Sequence, residues 1–219
     1  MRELKKLFLN KAGIEVYKAV LPPVGVNSYV LVKDNYLLIV DPGMGIAEIV
    51  ESFILEGKKV SILLTHSHFD HIAGIDELQN AEILGKSEVL DGLDKPEINL
   101  SGMFGGPELV IQNKNFMMLE DEKNEYGPFI FKAIYFPGHT AADTVFDFDD
   151  FIITGDFIFT DSIGRTDFPH SDDKKMRESL TRFRKYLSVK SGNTLILPGH
   201  MGYCDVKSLF ENNFYLSMY

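Results

Sequence analysis

Five apolar runs in this chain each stop at a turn that carries a histidine or an aspartate, and that recurrence restricts the folds open to it. YLLIV enters Asp41-Pro42-Gly43, and VSILLT enters His66. FIFKAIYF enters Pro137-Gly138-His139, FIIT enters Gly155-Asp156, and TLIL enters Pro198-Gly199-His200. Short apolar runs bounded by turn residues read as buried strands. Open α/β sheets collect ligands just beyond the carboxyl ends of their strands. A chain that puts metal-ligating side chains at five strand ends is therefore expected to gather them there.

Strands are expected at 27–33, 36–41, 60–65, 129–136, 144–148, 151–154 and 194–197, with hairpins at Lys33-Asp34-Asn35 and at Asp149-Asp150. Helices are expected at 45–56, 71–79, 172–187 and 205–213; in the third, Leu180, Phe183 and Leu187 recur at helical spacing. This alternation of strand and helix points to the α/β class. No low-complexity segment, Pro-rich linker or charge block marks a boundary, so residues 1–219 are expected to form a single domain. The stretch 86–128, rich in Gly, Asn and Glu, is the least legible.

Composition narrows the partners. The formal net charge is −10 and no long basic run occurs, which argues against a nucleic-acid partner, since such surfaces neutralise phosphates with Lys and Arg. The one cysteine, Cys204, has no intramolecular partner and fits a reducing compartment. The start, MRELKKLFLNKAG, lacks the sustained apolar core of a signal peptide. No apolar run approaches the roughly 18–20 residues that span a bilayer. A cytoplasmic setting without a membrane partner is expected.

In His66-Ser67-His68-Phe69-Asp70-His71 four potential ligands share one strand-to-helix turn. Imidazole and carboxylate together suit Zn²⁺, and also Fe or Mn. With His139, Asp156 and His200 the set reaches seven. One tetrahedral zinc takes at most about four ligands, so seven suit two divalent ions that share a bridging carboxylate.

HSHFDH at 66–71, followed by GHT at 138–140, GD at 155–156 and GH at 199–200, resembles the metallo-β-lactamase-fold hydrolase superfamily, from about Asn27 to His200. The resemblance implies an α/β fold, a four-layer αβ/βα sandwich, with a dinuclear site between two sheets. By that pattern His66, His68 and His139 hold one metal, Asp70, His71 and His200 hold the other, and Asp156 bridges. Asp41 then orients a ligand histidine, as carboxylates around such sites do. The implied chemistry is metal-assisted hydrolysis, in which the ions lower the pKa of bound water and a metal stabilises the oxyanion. Asp70 also orients the attacking hydroxide, which makes it the catalytic side chain.

Gly164-Arg165-Thr166-Asp167-Phe168 is similar to the branch that holds hydroxyacylglutathione hydrolases (glyoxalase II) and persulfide dioxygenases. Arg165 and His170 are candidate substrate contacts there. A polar loop before a helix, with Arg165 and Asp167 as an ion pair, is the alternative. His170 reads as a loop residue rather than a ligand, Phe69 as a packing residue or cleft wall, and Cys204 as a small buried residue rather than a nucleophile. Flavodiiron proteins carry Glu where this chain has His68, the missing signal peptide disfavours secreted β-lactamases, and β-CASP nucleases are disfavoured by the short, acidic chain. Two departures stand out. Only 19 residues follow His200, with Lys207 their one basic residue, so glutathione recognition does not carry over. Thr140-Ala141-Ala142-Asp143 replaces the usual Thr-Pro-Gly-Ser, which adds a carboxylate without an assigned role.

The expected function is hydrolysis of a small acyl-thioester or ester by two divalent ions, zinc first. A thiolate leaves without a strong general acid, and none is evident. The alternatives are a mononuclear iron persulfide dioxygenase and a non-catalytic metal-stabilised binding protein. The terminal NNFYLSMY is expected to pack back on the core, with an apolar tail that builds a homodimer as the lesser reading.

Overall fold

The computed structural model describes residues 3–79, 81–103 and 107–218. Its contacts separate two compact units, Met1–Leu119 with Glu125–Phe129 and Glu120–Asn124 with Ile130–Tyr219. One sheet of seven strands and one of six carry them.

The seven-stranded sheet runs in simple order: β1 (Lys5–Leu9), β2 (Glu15–Leu21), β3 (Val26–Lys33), β4 (Tyr36–Val40), β5 (Lys59–Leu63), β6 (Glu82–Gly85) and β7 (Phe116–Met118). The first four strands form an antiparallel meander, and β4 through β7 are parallel. Helix α1 (Ile46–Leu55) makes the crossover from β4 to β5 and buries Ile46 and Val50. β4 is buried from Leu37 to Val40 and β3 from Val26 to Val32. Unbroken apolar strands are expected where both sheet faces are covered.

In the six-stranded sheet the order is β13 (Cys204–Asp205), β12 (Leu195–Pro198), β11 (Phe151–Gly155), β10 (Thr144–Asp147), β9 (Phe129–Tyr135) and β8 (Glu122–Tyr126). Helix α5 (Asp173–Leu187) lies on the core of this unit. Its Met176, Leu180, Phe183 and Leu187 join Phe136, Phe157 and Ile196, and the Phe183 ring meets both Phe136 and Phe157 edge-on at 5.2 Å. Asp172 starts the helix by accepting from the Lys175 N–H at 3.0 Å. At its other end the buried Asp147 accepts from the Tyr186 hydroxyl and from Lys190 Nζ, tying the helix to β10.

The seven expected strands and both hairpins are present. So are the helices at 45–56, 172–187 and 205–213, the last as α6 (Val206–Asn212). The helix expected over 71–79 is reduced to α2 (Phe69–Ile72). Beyond it the N–H groups of Ile75 and Leu78 bond three residues back, and Gly74 N–H turns to the Pro42 carbonyl. β1 and β2 were not expected, because Lys5, Lys6 and Lys18 interrupt their alternation. The stretch 86–128 resolves into the short helices α3 (Leu90–Asp94) and α4 (Pro96–Asn99) and the strands β7 and β8. The terminal segment forms α7 (Phe214–Met218) and buries Leu216 fully, as expected of a tail that packs back.

Candidate metal centre

In the first unit, β4 and β5 run parallel with Val40 opposite Leu63, so the chain leaves both strands side by side. Asp41 turns there with φ 52, a left-handed conformation that Asp tolerates better than most residues. Its N–H bonds the Leu63 carbonyl at 3.0 Å. The buried Asp41 carboxylate then accepts three hydrogen bonds. Oδ1 takes the Thr65 N–H at 2.9 Å, while Oδ2 takes the Thr65 hydroxyl at 2.7 Å and His71 Nδ1 at 3.0 Å.

These bonds fix the histidine tautomers. A carboxylate can only accept, so His71 Nδ1 carries the proton and Nε2 the lone pair. Thr65 spends its hydroxyl proton on Asp41, so in its 3.0 Å contact with His66 Nδ1 the imidazole is the donor. His66 therefore also presents Nε2 as a lone pair. The two rings lie 4.1 Å apart, with His68 4.8 Å from His66. His71 Nε2 is 3.5 Å from Asp70 Oδ2. His66, His68, Asp70 and His71 are all buried. Behind the turn, Gly92 of α3 passes so close that a Cβ there would fall 2.0 Å from Ser67 Oγ. Asn99, fully buried, fixes that backbone by donating to the Gly92 and Leu109 carbonyls.

In the second unit, β11 and β12 run parallel with Gly155 opposite Pro198, and β9 and β11 both lie antiparallel to β10. Hence His139, Asp156 and His200 leave their strands at the same sheet end. Asp156 Oδ2 stands 3.7 Å from His139 Nε2 and 3.4 Å from His200 Nε2. Both distances exceed a normal hydrogen bond. They approach the ~3.4 Å between two donors that each sit about 2.1 Å from one tetrahedral ion. His139 Nδ1 donates to the Arg165 carbonyl at 2.8 Å, which leaves Nε2 as the lone pair here too. A Cβ on Gly164 would fall 1.9 Å from the Asp156 carbonyl oxygen and 2.8 Å from His139 Cβ, so only glycine lets this loop approach both.

Asp143 finds its role in the turn after His139. Its carboxyl accepts from the Thr140 N–H and hydroxyl, and burial pushes it up to about 6. Arg165 makes a bidentate pair with Asp167 at 2.8 Å and lies 4.2 Å over the Phe168 ring. His170 sits exposed in a turn with φ 71. Burial pushes the Cys204 thiol up to about 11, so it stays protonated at neutral pH and is a poor nucleophile. The sequence left three supports unnoticed: the Thr65 hydroxyl, the Arg165 carbonyl and the closeness of Gly164. Thr65 opens the THSHFDH stretch and offered a signal; a backbone carbonyl offers none.

The donor chemistry of each cluster fits a divalent ion. Imidazole nitrogens with their lone pairs fixed stand beside buried carboxylates, and buried anions are costly unless a cation accompanies them. Asp41 is the exception within the first cluster, since its oxygens are engaged by Thr65 and His71.

Fold and donor sets together define a metal-binding α/β protein of the metallo-hydrolase type. The family model of the metallo-beta-lactamase superfamily matches residues 21–200, and the chain belongs to that superfamily. A probable metallo-hydrolase of Streptococcus pyogenes serotype M6 is 31% identical over 211 residues, covering 88% of this chain and 89% of its own. The hydroxyacylglutathione hydrolase GloC of Haemophilus influenzae is 27% identical, covering 82% of this chain and 86% of its own. The crystal structure of the BLEG-1 B3 metallo-beta-lactamase matches with a TM-score of 0.82 at 25% identity, over 91% of this chain and 98% of that one. The fold expected from the HSHFDH resemblance is thus the observed one. Among the described residues no helix is long and apolar enough to cross a membrane.

Proposed function

We propose that the two donor clusters act as one dinuclear centre, in a single catalytic domain over 1–219, and hydrolyse a small acyl thioester or a related ester. The observation that supports this most is the fixing of Nδ1–H in His66, His71 and His139 by acceptors on the protein, which leaves three Nε2 lone pairs set for metal. In this reading His66, His68 and His139 hold one ion, Asp70, His71 and His200 hold the other, and Asp156 is shared. Zinc suits the donors best, with iron or manganese as alternatives.

Bound ions of this kind supply a water that ionises near neutral pH and a Lewis acid for the carbonyl oxygen. The chain supplies the rest. Asp41 holds His71 directly and His66 through Thr65. Asp70 accepts a hydrogen bond from the attacking water and orients it. Arg165 and His170 are secondary candidates for contacting the substrate. A thiolate leaves without protonation, which suits a site with no evident general acid. The hydroxyacylglutathione hydrolase among the relatives supports a thioester substrate. A small-molecule substrate and a cytoplasmic setting complete the reading.

The test is metal content of protein purified without added metal, measured beside a panel of thioesters that includes S-lactoylglutathione, and a persulfide. About two divalent ions per chain with thioester turnover is the expected result. One iron per chain with persulfide consumption would overturn it.

A further inference from the structure

Asn213, between α6 and α7, is a polar side chain only 1% exposed, with both amide N–H groups and its oxygen engaged. Its Oδ1 accepts from the Leu216 N–H at 2.9 Å and so caps α7, a helix seated in the core by the fully buried Leu216. Its Nδ2 donates to the Phe159 and Ser162 carbonyls, each at 2.9 Å. These carbonyls flank the tip of the loop that leaves Asp156 and comes back at Gly164. Within the loop the Phe159 N–H bonds the Ser162 carbonyl at 2.9 Å, Ile158 bridges to Ile163, and the Thr154 hydroxyl donates to the Ile158 carbonyl at 2.9 Å. The loop is thus a small hairpin, and it touches all three ligand candidates of the second cluster. Asp156 begins it. Gly164 closes it against the Asp156 carbonyl and His139, and the next residue, Arg165, supplies the carbonyl for His139 Nδ1. The Phe159 ring stands near edge-on to His200, with 6.2 Å between centroids and 68° between planes.

We propose that Asn213 is a positioning residue for the second cluster, gripping the backbone of this hairpin so that His139, Asp156 and His200 keep their spacing. The inference rests on the reading that the cluster binds metal. Without the two amide N–H groups, the buried Phe159 carbonyl loses its donor and the Ser162 carbonyl keeps only the Phe159 N–H. A buried carbonyl left unpaired is unfavourable, so the tip shifts toward water. That shift carries the Phe159 ring off His200 and loosens the return of Gly164 and Arg165 to His139.

The test uses the full-length chain with two replacements at position 213. Asn213→Ser keeps a capping oxygen for α7, where Ser serves about as well as Asn, but is too short to reach both carbonyls. Asn213→Asp keeps the cap as well and turns an oxygen toward both carbonyls. Leu187→Ala is the control: it empties core volume beside the Tyr186–Asp147 contact, at the sheet end opposite the ligand candidates. Zinc retention is read by titration with a chromophoric chelator, and the visible spectrum of the cobalt-loaded chain reports ligand geometry. Asn213→Ser should weaken zinc about tenfold, and Asn213→Asp further, each with an altered cobalt spectrum. Leu187→Ala should keep the parent spectrum and a zinc affinity within about twofold. Should Asn213→Asp not fold, Asn213→Ser decides by the same readouts. A parent chain that retains neither zinc nor cobalt removes the metal-centre reading, and the role of Asn213 with it. Two ions held by the parent and held as tightly by the position-213 variants overturn the role of Asn213 alone. An equal loss from Leu187→Ala does the same, because it makes Asn213 a residue of general stability.

Discussion

The two candidate metal-ligating clusters are built with different supports. In the first unit four ligand candidates lie within 66–71, and side chains hold them: Asp41 bonds His71 and, through Thr65, steadies His66. In the second unit three candidates are spread over 139–200, and backbone holds them: the Arg165 carbonyl accepts from His139, and Gly164 packs against Asp156 and His139 with no room for a methyl group. A side-chain support can be removed by an isosteric change. A backbone support is insensitive to the identity of the residue that supplies it, and breaks only when the space around it changes.

The largest effect is expected where the two designs are proposed to meet. Asp156→Asn replaces the carboxylate that faces both His139 and His200 with a neutral amide, and should lower hydrolytic activity by more than about 100-fold while weakening both ions together. Metal stoichiometry by mass spectrometry and kinetics on one thioester check this. Retention of two tightly held ions would remove the shared role.

Asp41→Asn should come next, because it strikes the side-chain design at its centre. The amide offers one oxygen where the carboxylate used two, so either the Thr65 N–H or the pair formed by the Thr65 hydroxyl and His71 Nδ1–H loses its acceptor. Metal affinity should fall about 10- to 100-fold, the usual range for replacing an outer partner of a ligand histidine. The buried donor left over should cost about 1–3 kcal/mol of stability. A competition titration with a chelator and a thermal melt separate the two readouts. An unchanged affinity would mean that the His71 tautomer is set by something other than Asp41.

Gly164→Ala tests the backbone design by volume alone. A Cβ 1.9 Å from a carbonyl oxygen cannot be accommodated without moving the loop, and overpacking of this kind costs about 1–3 kcal/mol. The displaced Arg165 carbonyl should loosen His139 and reduce metal affinity by roughly tenfold, at the low end of the Asp41 effect. Calorimetric melting of the metal-free and metal-loaded protein should show a smaller metal-induced stabilisation than in the parent chain. An equal metal-induced shift would place the closeness of Gly164 among packing details rather than supports.

The same contrast explains what could be read in advance. HSHFDH is legible because its candidate ligands are neighbours in sequence, and Asp41 because YLLIV ends there in a turn. The strand ends at Asp156 and His200 were visible as positions because the parallel β11 and β12 are unbroken apolar runs, and the one at His139 because the largely apolar β9 runs into Pro137-Gly138. Their support was not visible, because a carbonyl and a missing Cβ leave no chemical mark on a sequence. The helix expected over 71–79 failed for a related reason. The pattern of Ile72, Ile75 and Leu78 suits a helix, but Gly74 is drawn to Pro42, and a tertiary hydrogen bond outweighs a local preference. The amphipathic β1 and β2 were missed because lysines stand in their alternation, and the short β6 and β13 outside the poorly legible middle were missed as well.

Arg165→Ala should produce the smallest change, and it separates the residue from its backbone. The substitution deletes the bidentate pair with Asp167 and the stack on Phe168 but keeps the carbonyl that accepts from His139. Both partners of the ion pair are well exposed, and solvent-screened pairs contribute little to stability. The melting temperature should stay within about 2 °C of the parent, and metal affinity within about twofold. Any kinetic loss should fall on KM with kcat nearly unchanged, the signature of a contact made equally in ground and transition states. If instead Arg165→Ala releases metal as Asp41→Asn is expected to do, the second cluster is held by side chains after all, and the distinction between the two designs collapses.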